Sequence, residues 1–187
     1  MQRTGATGRK RIIFYIVIPL IIILALIVAD QISKQAFKKL FEDHRKTFVI
    51  KNFFYFTCVE NDGAAFSFLS GKDWGQVFFK ILTPIALIAF LFFFVLSIKS
   101  GRKWCIYSLA LIISGTIGNY IDRLFNSKVI DFIGFQFGSY FFPIFNFADI
   151  YLTVGVIMLI VYFLFLDDNA IFSKKKGDKE DIKDENT

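Results

Sequence analysis

The chain has 187 residues, is 55% hydrophobic with 26 phenylalanines, and carries a formal net charge of +6. That much apolar matter excludes an ordinary soluble domain. One histidine and two cysteines provide no Cys/His cluster for zinc and no disulfide framework, and the bases fall where membrane topology accounts for them without a nucleic-acid partner.

Residues 1–11 form a basic arm, with Arg3, Arg9, Lys10 and Arg11 and no acid, expected to be mobile and cytoplasmic. Next comes the first of four uncharged runs, Ile12 to Ala29. It is longer than the apolar core of a signal peptide, and no small-x-small site follows before Asp30, so it reads as a retained helix. The segment 31–76 is expected outside, amphipathic from Ile32 to His44. It is β-prone at Thr47 to Ile50 and Phe53 to Thr57, with a turn at Asn61-Asp62-Gly63.

The second run is Ile81 to Ile98 and the third Trp104 to Ile121, joined by the link Lys99 to Lys103 with three bases in five residues. The second outer segment, 126–145, is rich in Phe and Gly with only two charges, and suits a bilayer surface or the cover of a site. The fourth run is Ile150 to Leu166. Each run has 17 or 18 residues, enough to span a bilayer once flanking residues are added. Residues 167–187, with five lysines and seven acids, read as a disordered charged tail. Four spans put both termini and the 99–103 link on one side, and the density of bases makes that side cytoplasmic. Residues 12–166 thus form one four-helix membrane domain. Cys58 and Cys105 fall at opposite membrane faces and cannot pair.

Two polar clusters interrupt this apolar frame. One is Gly118-Asn119-Tyr120-Ile121-Asp122-Arg123 with Val129-Ile130-Asp131-Phe132 behind it; the other is Phe145-Asn146-Phe147-Ala148-Asp149. Acids at the edge of hydrocarbon are costly and mark functional positions. Asn119, Asp122 and Arg123 share one helical face. That face should look into the bundle, although Arg123 could simply snorkel to the headgroups. Asp149 could be no more than a first-turn helix acid, but that leaves the other cluster unexplained. Asp30 and Lys34, four apart, pair if helix one continues; a plain interfacial ion pair is the simpler account. No Gly-x-Ser-x-Gly, His-Glu-x-x-His or phosphate loop occurs. If the chain hydrolyses anything, two carboxylates sharing a proton must activate the water. An ion- or proton-coupled transporter is the alternative, but its polar groups should sit at the midplane within inverted repeats. A non-catalytic scaffold leaves both clusters without a purpose.

The set Asp30-x-x-x-Lys34, Asn61-Asp62-Gly63-Ala64-Ala65-Phe66-Ser67, Gly118-Asn119-x-x-Asp122-Arg123, Val129-x-Asp131-Phe132 and Phe145-Asn146-x-Ala148-Asp149 closely resembles the bacterial lipoprotein signal peptidase family (signal peptidase II). The resemblance implies an α-helical polytopic membrane protein with four transmembrane helices, a small extracytoplasmic β-sheet and a short outer helix over the site. It implies an aspartic endopeptidase without a cofactor, in the bacterial inner membrane. Such an enzyme removes signal peptides from diacylglyceryl-modified prolipoproteins, cutting before the lipidated Cys. Asp131 and Asp149 would be the catalytic dyad. Asn61, Gly63, Asn119, Arg123 and Asn146 would line the site or hold substrate, with Asp30, Lys34 and Asp122 in support. The expected partners are the lipidated precursor, membrane lipids and the family's cyclic-peptide inhibitors at the dyad, around a monomeric enzyme.

Overall fold

The structure, a computed structural model, describes residues 3–43, 45–63 and 73–167. Helix α1 (Arg3–Ile12), a π turn (Ile13–Val17) and α2 (Ile18–Leu40) follow one another without a break. The basic arm is therefore helical from Arg3. Pro19 falls in the first turn of α2, directly after the π turn, where the regular hydrogen-bond ladder is already interrupted. The helical stretch Gly8–Leu40 has 33 residues, about 50 Å at 1.5 Å per residue. A hydrocarbon core is about 30 Å thick, so the last turns stand clear of it. The amphipathic stretch after Ile32 is thus the last part of helix one, beyond its apolar run.

Helix α3 spans Asp73–Ser100, α4 Lys103–Asn126, and α5 Phe147–Val161, extended by a π turn at Tyr162–Leu166. Four helices are long and apolar enough to cross a membrane, and they contain the four runs read from sequence. They are not equivalent. In its most apolar window α4 is 67% buried, against 6%, 11% and 11% for the other three. Helix α4 is the hub on which the rest pack, and its Ile106, Leu109, Ile112 and Ile113 form the core with Phe94, Tyr15, Ile23, Leu152 and Leu159. The remaining faces present Leu24, Ile88, Phe92 and Ile157 outward, as lipid requires. Small residues let the backbones close up: a Cβ on Gly155 would meet the Ser108 carbonyl at 2.7 Å.

The segments between the spans form one antiparallel sheet in the order β1 (Thr47–Ile50), β2 (Phe54–Asn61), β3 (Val129–Phe137), β4 (Tyr140–Phe141). Residues 133–145 are strand, hairpin and an extended return, and among the described residues no separate short outer helix occurs. β-Branched and aromatic residues dominate Val129 to Phe137, and β2 offers them an edge to pair with. Residues 64–72, including the Ala64 to Ser67 part of one motif, lie outside the described residues, as does the tail from 168. Phe37 on α2 stacks on Phe132 of β3 at 4.2 Å and lies tilted against Phe56 of β2 at 4.8 Å. Helix one therefore carries the sheet on its C-terminal end.

A candidate active site where the sheet meets the bundle

The site is built from three helix ends and two strands. Residue 131 lies in β3, paired with Val59 of β2, and Asn61 pairs with Val129. Between Phe56 and Val59 the register shifts by one residue. This bulge leaves Asn61 diagonal to Asp131 on one face, and Asn61 Nδ2 donates to Asp131 Oδ2 at 2.9 Å. The other carboxylate oxygen, Oδ1, accepts from Asn146 Nδ2 at 2.6 Å. Asp131 is 3% exposed. Its burial, and then the nearby Asp149 carboxylate, push its pKa up to about 7.

Asp149 enters from the first turn of α5. Asn146 is the N-cap: its side chain accepts from the Asp149 N–H at 3.1 Å, and Asp149 Oδ2 accepts from the Asn146 N–H at 3.1 Å. This is a capping box, so the reading of Asp149 as a helix-start acid is true as well. It accounts for one oxygen only. Oδ1 accepts from Asn119 Nδ2 of α4 at 2.7 Å. Asn146 thus touches both carboxylates, donating from its side chain to Asp131 and from its backbone N–H to Asp149.

Beneath the pair lies a buried ionic layer. Lys34 Nζ contacts Asp30 Oδ2 at 2.8 Å, Asp122 Oδ2 at 2.9 Å and Asn119 Oδ1 at 2.9 Å. Its three protons have three acceptors, which is what a fully buried ammonium needs. Asn119 Oδ1 also accepts from Asn146 Nδ2 at 3.1 Å. With its oxygen held by these donors, Asn119 must turn its N–H toward Asp149. Asp30 Oδ1 accepts the Ala148 N–H at 3.0 Å, one of the first donors of α5 that have no partner within the helix. Asp122 Oδ2 accepts the Ile130 N–H at 3.2 Å, beside Asp131. The layer therefore fixes the positions of both strand and helix. Gly118 makes room for it, since a Cβ there would sit 2.6 Å from Asp30 Oδ2.

Arg123 does not snorkel. Its Nη2 donates to the Gly63 carbonyl at 3.1 Å, its Nη1 to Asn119 O at 3.4 Å, and its guanidinium lies 5.0 Å from the Phe79 ring centre. Gly63 N in turn donates to Asn61 Oδ1 at 2.9 Å. The structure thus brings Asp30, Lys34, Asn61, Gly63, Asn119, Asp122, Arg123, Asp131, Asn146 and Asp149 into one connected cluster. One member was missed in the sequence: Gln31 Nε2, which donates to Gly118 O at 3.0 Å and to Asp30 and Asp122 at 3.2 Å. An amide between Asp30 and Lys34 was its only signal.

Asn61, Asn119, Arg123, Asp131 and Asp149 line a cavity of about 830 Å³. Its apolar walls are Phe142, Pro143, Ile144 and Phe145 above and Ile150, Leu152 and Val154 along α5. The end of segment 126–145 thus lines the site. A cavity of this size fits an extended peptide segment and an apolar group lying against α5. At this wall the Asp149 carboxylate lies near enough to Asp131 for its charge to raise the Asp131 pKa.

A sequence profile described as Signal peptidase (SPase) II matches residues 22–165. A lipoprotein signal peptidase of Listeria monocytogenes is 41% identical over 159 residues, covering 85% of this chain and 97% of its own length. One from Staphylococcus haemolyticus is 37% identical over 151 residues, covering 81% and 93%. A bacterial membrane enzyme solved at 2.3 Å matches with a TM-score of 0.72 and 34% identity, over 87% of this chain and 96% of that one. A second, solved at 1.9 Å, gives 0.68 and 36% over 80% and 94%. This multi-pass membrane protein belongs to the signal peptidase II family and is a peptidase of that family's type.

Proposed function

We propose that the chain removes signal peptides from lipid-modified prolipoproteins, cutting before the lipidated cysteine, with Asp131 and Asp149 as its catalytic pair. The observation that carries this reading is the shared residue Asn146, which holds both carboxyl groups at one wall of the cavity. The pair holds one proton, and buried Asp131, at about 7, is the group fitted to keep it. Ionised Asp149 takes a proton from water as the water oxygen attacks the scissile carbonyl carbon. Asp131 gives its proton to the carbonyl oxygen. As the C–N bond breaks, Asp149 gives its proton to the leaving nitrogen, and a hydroxyl of the tetrahedral carbon returns its proton to Asp131 as the carbonyl re-forms. Among the described residues Arg123 donates two hydrogen bonds, to Asn119 O and Gly63 O, and its other N–H groups are suited to holding the substrate backbone.

The active site lies near the outer face of the bacterial inner membrane, with both termini cytoplasmic and the enzyme acting as a monomer. The lipid anchor of the substrate then lies along α5 while its backbone crosses the sheet. Lipid-modified and unmodified precursors, offered to the purified enzyme in bilayers, test the reading. The modified precursor should be cut before its cysteine and the unmodified one spared. Equal cutting of both, or cutting elsewhere, would refute it.

A further inference from the structure

The carboxylate cluster occupies one end of the bundle; a second convergence of charged and aromatic groups occupies the other. The link between α3 and α4 turns at Gly101 with φ +71°, a conformation that glycine alone adopts freely. A Cβ there would meet Arg11 Nη2 at 3.6 Å and the Tyr15 ring at 3.7 Å, so the link lies directly on the first helix. Arg11 Nη2 donates to the Lys99 carbonyl at 3.2 Å. The Arg11 guanidinium lies 5.6 Å from the centre of the Tyr15 ring, and Lys103 Nζ lies 5.8 Å from the same centre. Two cations share one ring. Arg9, Lys10 and Lys99 are also exposed at this end. Asp167 pairs with Arg102 at 4.0 Å. Among the described residues, neither Arg11 nor Lys103 has an ion-pair partner.

Beside this pair opens a cavity of about 250 Å³ lined by Lys103, Trp104, Tyr107 and Met158. Tyr107 is held in place, its hydroxyl donating to the Phe14 carbonyl of the π turn at 3.0 Å. Trp104 is 50% exposed. A base at the rim, two aromatic rings with polar handles and a thioether below follow the sequence of layers in a phospholipid: phosphate, glycerol, acyl chain. We infer that Arg11, Lys103 and this groove form a binding site for an anionic phospholipid from the surrounding leaflet. The phosphodiester lies against the basic rim, Trp104 and Tyr107 flank the glycerol region, and one chain runs past Met158. Charge complementarity selects this occupant, and the site faces the layer that supplies it.

The chain has two tryptophans, so Trp74→Phe leaves Trp104 as the only reporter. The full-length protein is reconstituted in phosphatidylcholine bilayers containing brominated phosphatidylglycerol or brominated phosphatidylcholine, and quenching of Trp104 is followed. Phosphatidylglycerol should quench at lower mole fraction, with a preference of about fivefold for each base engaged. Arg11→Gln with Lys103→Gln should remove the preference, Lys103→Arg should keep it, and Lys128→Gln at the other end should leave it unchanged. Each variant should cleave substrate in detergent like wild type, which separates lost lipid binding from lost folding. Equal quenching by the two lipids overturns the inference, as does a preference that survives the double substitution. A preference that emerges only after residues 168–187 are removed also overturns it, because the acidic tail is then the occupant.

Discussion

Asp131 and Asp149 differ in setting, and variants should expose both the shared chemistry and the difference. Asp131→Asn and Asp149→Asn should each abolish cleavage with the protein still folded, because an amide cannot share the proton; near-normal turnover by either would end the dyad assignment. The pH profile belongs to Asp131. Its proton is lost above about pH 7, so kcat/KM should fall about tenfold per unit beyond that point. Asn61 donates to its ionised form at 2.9 Å. Removing that donor in Asn61→Ala leaves the charged form less favoured, so the alkaline limb should move to higher pH. The loss of one hydrogen bond worth about 1–3 kcal/mol should also slow cleavage by roughly 5- to 150-fold. A limb that stays put, or moves down, means Asp131 is not the proton holder. Lys34→Met leaves Asp30 and Asp122 buried without a counter-charge, at a cost of about 3–5 kcal/mol. Its thermal midpoint in detergent should drop by several degrees even before substrate is added.

At the scale of elements, the site depends on two devices that bring α2, α4, α5 and the sheet to the same point. One is the extra residue in β2 between Phe56 and Val59, which sets Asn61 beside Asp131. The other is close helix packing at Gly118, where Asp30 reaches past α4 to cap Ala148 at the start of α5. Gly118→Ala should overpack this junction and cost about 1–3 kcal/mol. Because Asp30 holds the start of α5, the substitution should slow cleavage in the folded fraction as well as lower the melting point. A variant with wild-type rate and stability would show that the junction is soft and that Asp30 does not position Asp149.

At the scale of the whole molecule, one helix is enclosed and three are peripheral. The enclosed helix, α4, supplies Asn119, Asp122 and Arg123, while the first helix rises out of the membrane to support the sheet. The proposed orientation is open to labelling, since native Cys58 and Cys105 are 2% and 3% exposed and should react slowly. Lys51→Cys in the β1–β2 turn should label from outside intact cells, and Ser100→Cys at the end of α3 only after permeabilisation. Labelling of both from one side would refute the four-span arrangement.

The amino-acid sequence by itself determined the four spans, because the penalty for exposing polar backbone and side chains to lipid admits little else for runs such as Ile81 to Ile98. It also singled out Asp131, Asp149 and the asparagines, since polar groups are conspicuous in an apolar chain. It left open whether helix one continues past Asp30, because the groups that satisfy Lys34 besides Asp30, namely Asp122 and Asn119, come from α4. Nor could it say that residues 133–145 are strand rather than helix, which depends on the free edge of β2. Gln31 stayed hidden because its three acceptors come from two helices. Hydrophobic length is a local property and can be read along the chain. The partner of a buried charge is not local, and only the tertiary structure assigns it.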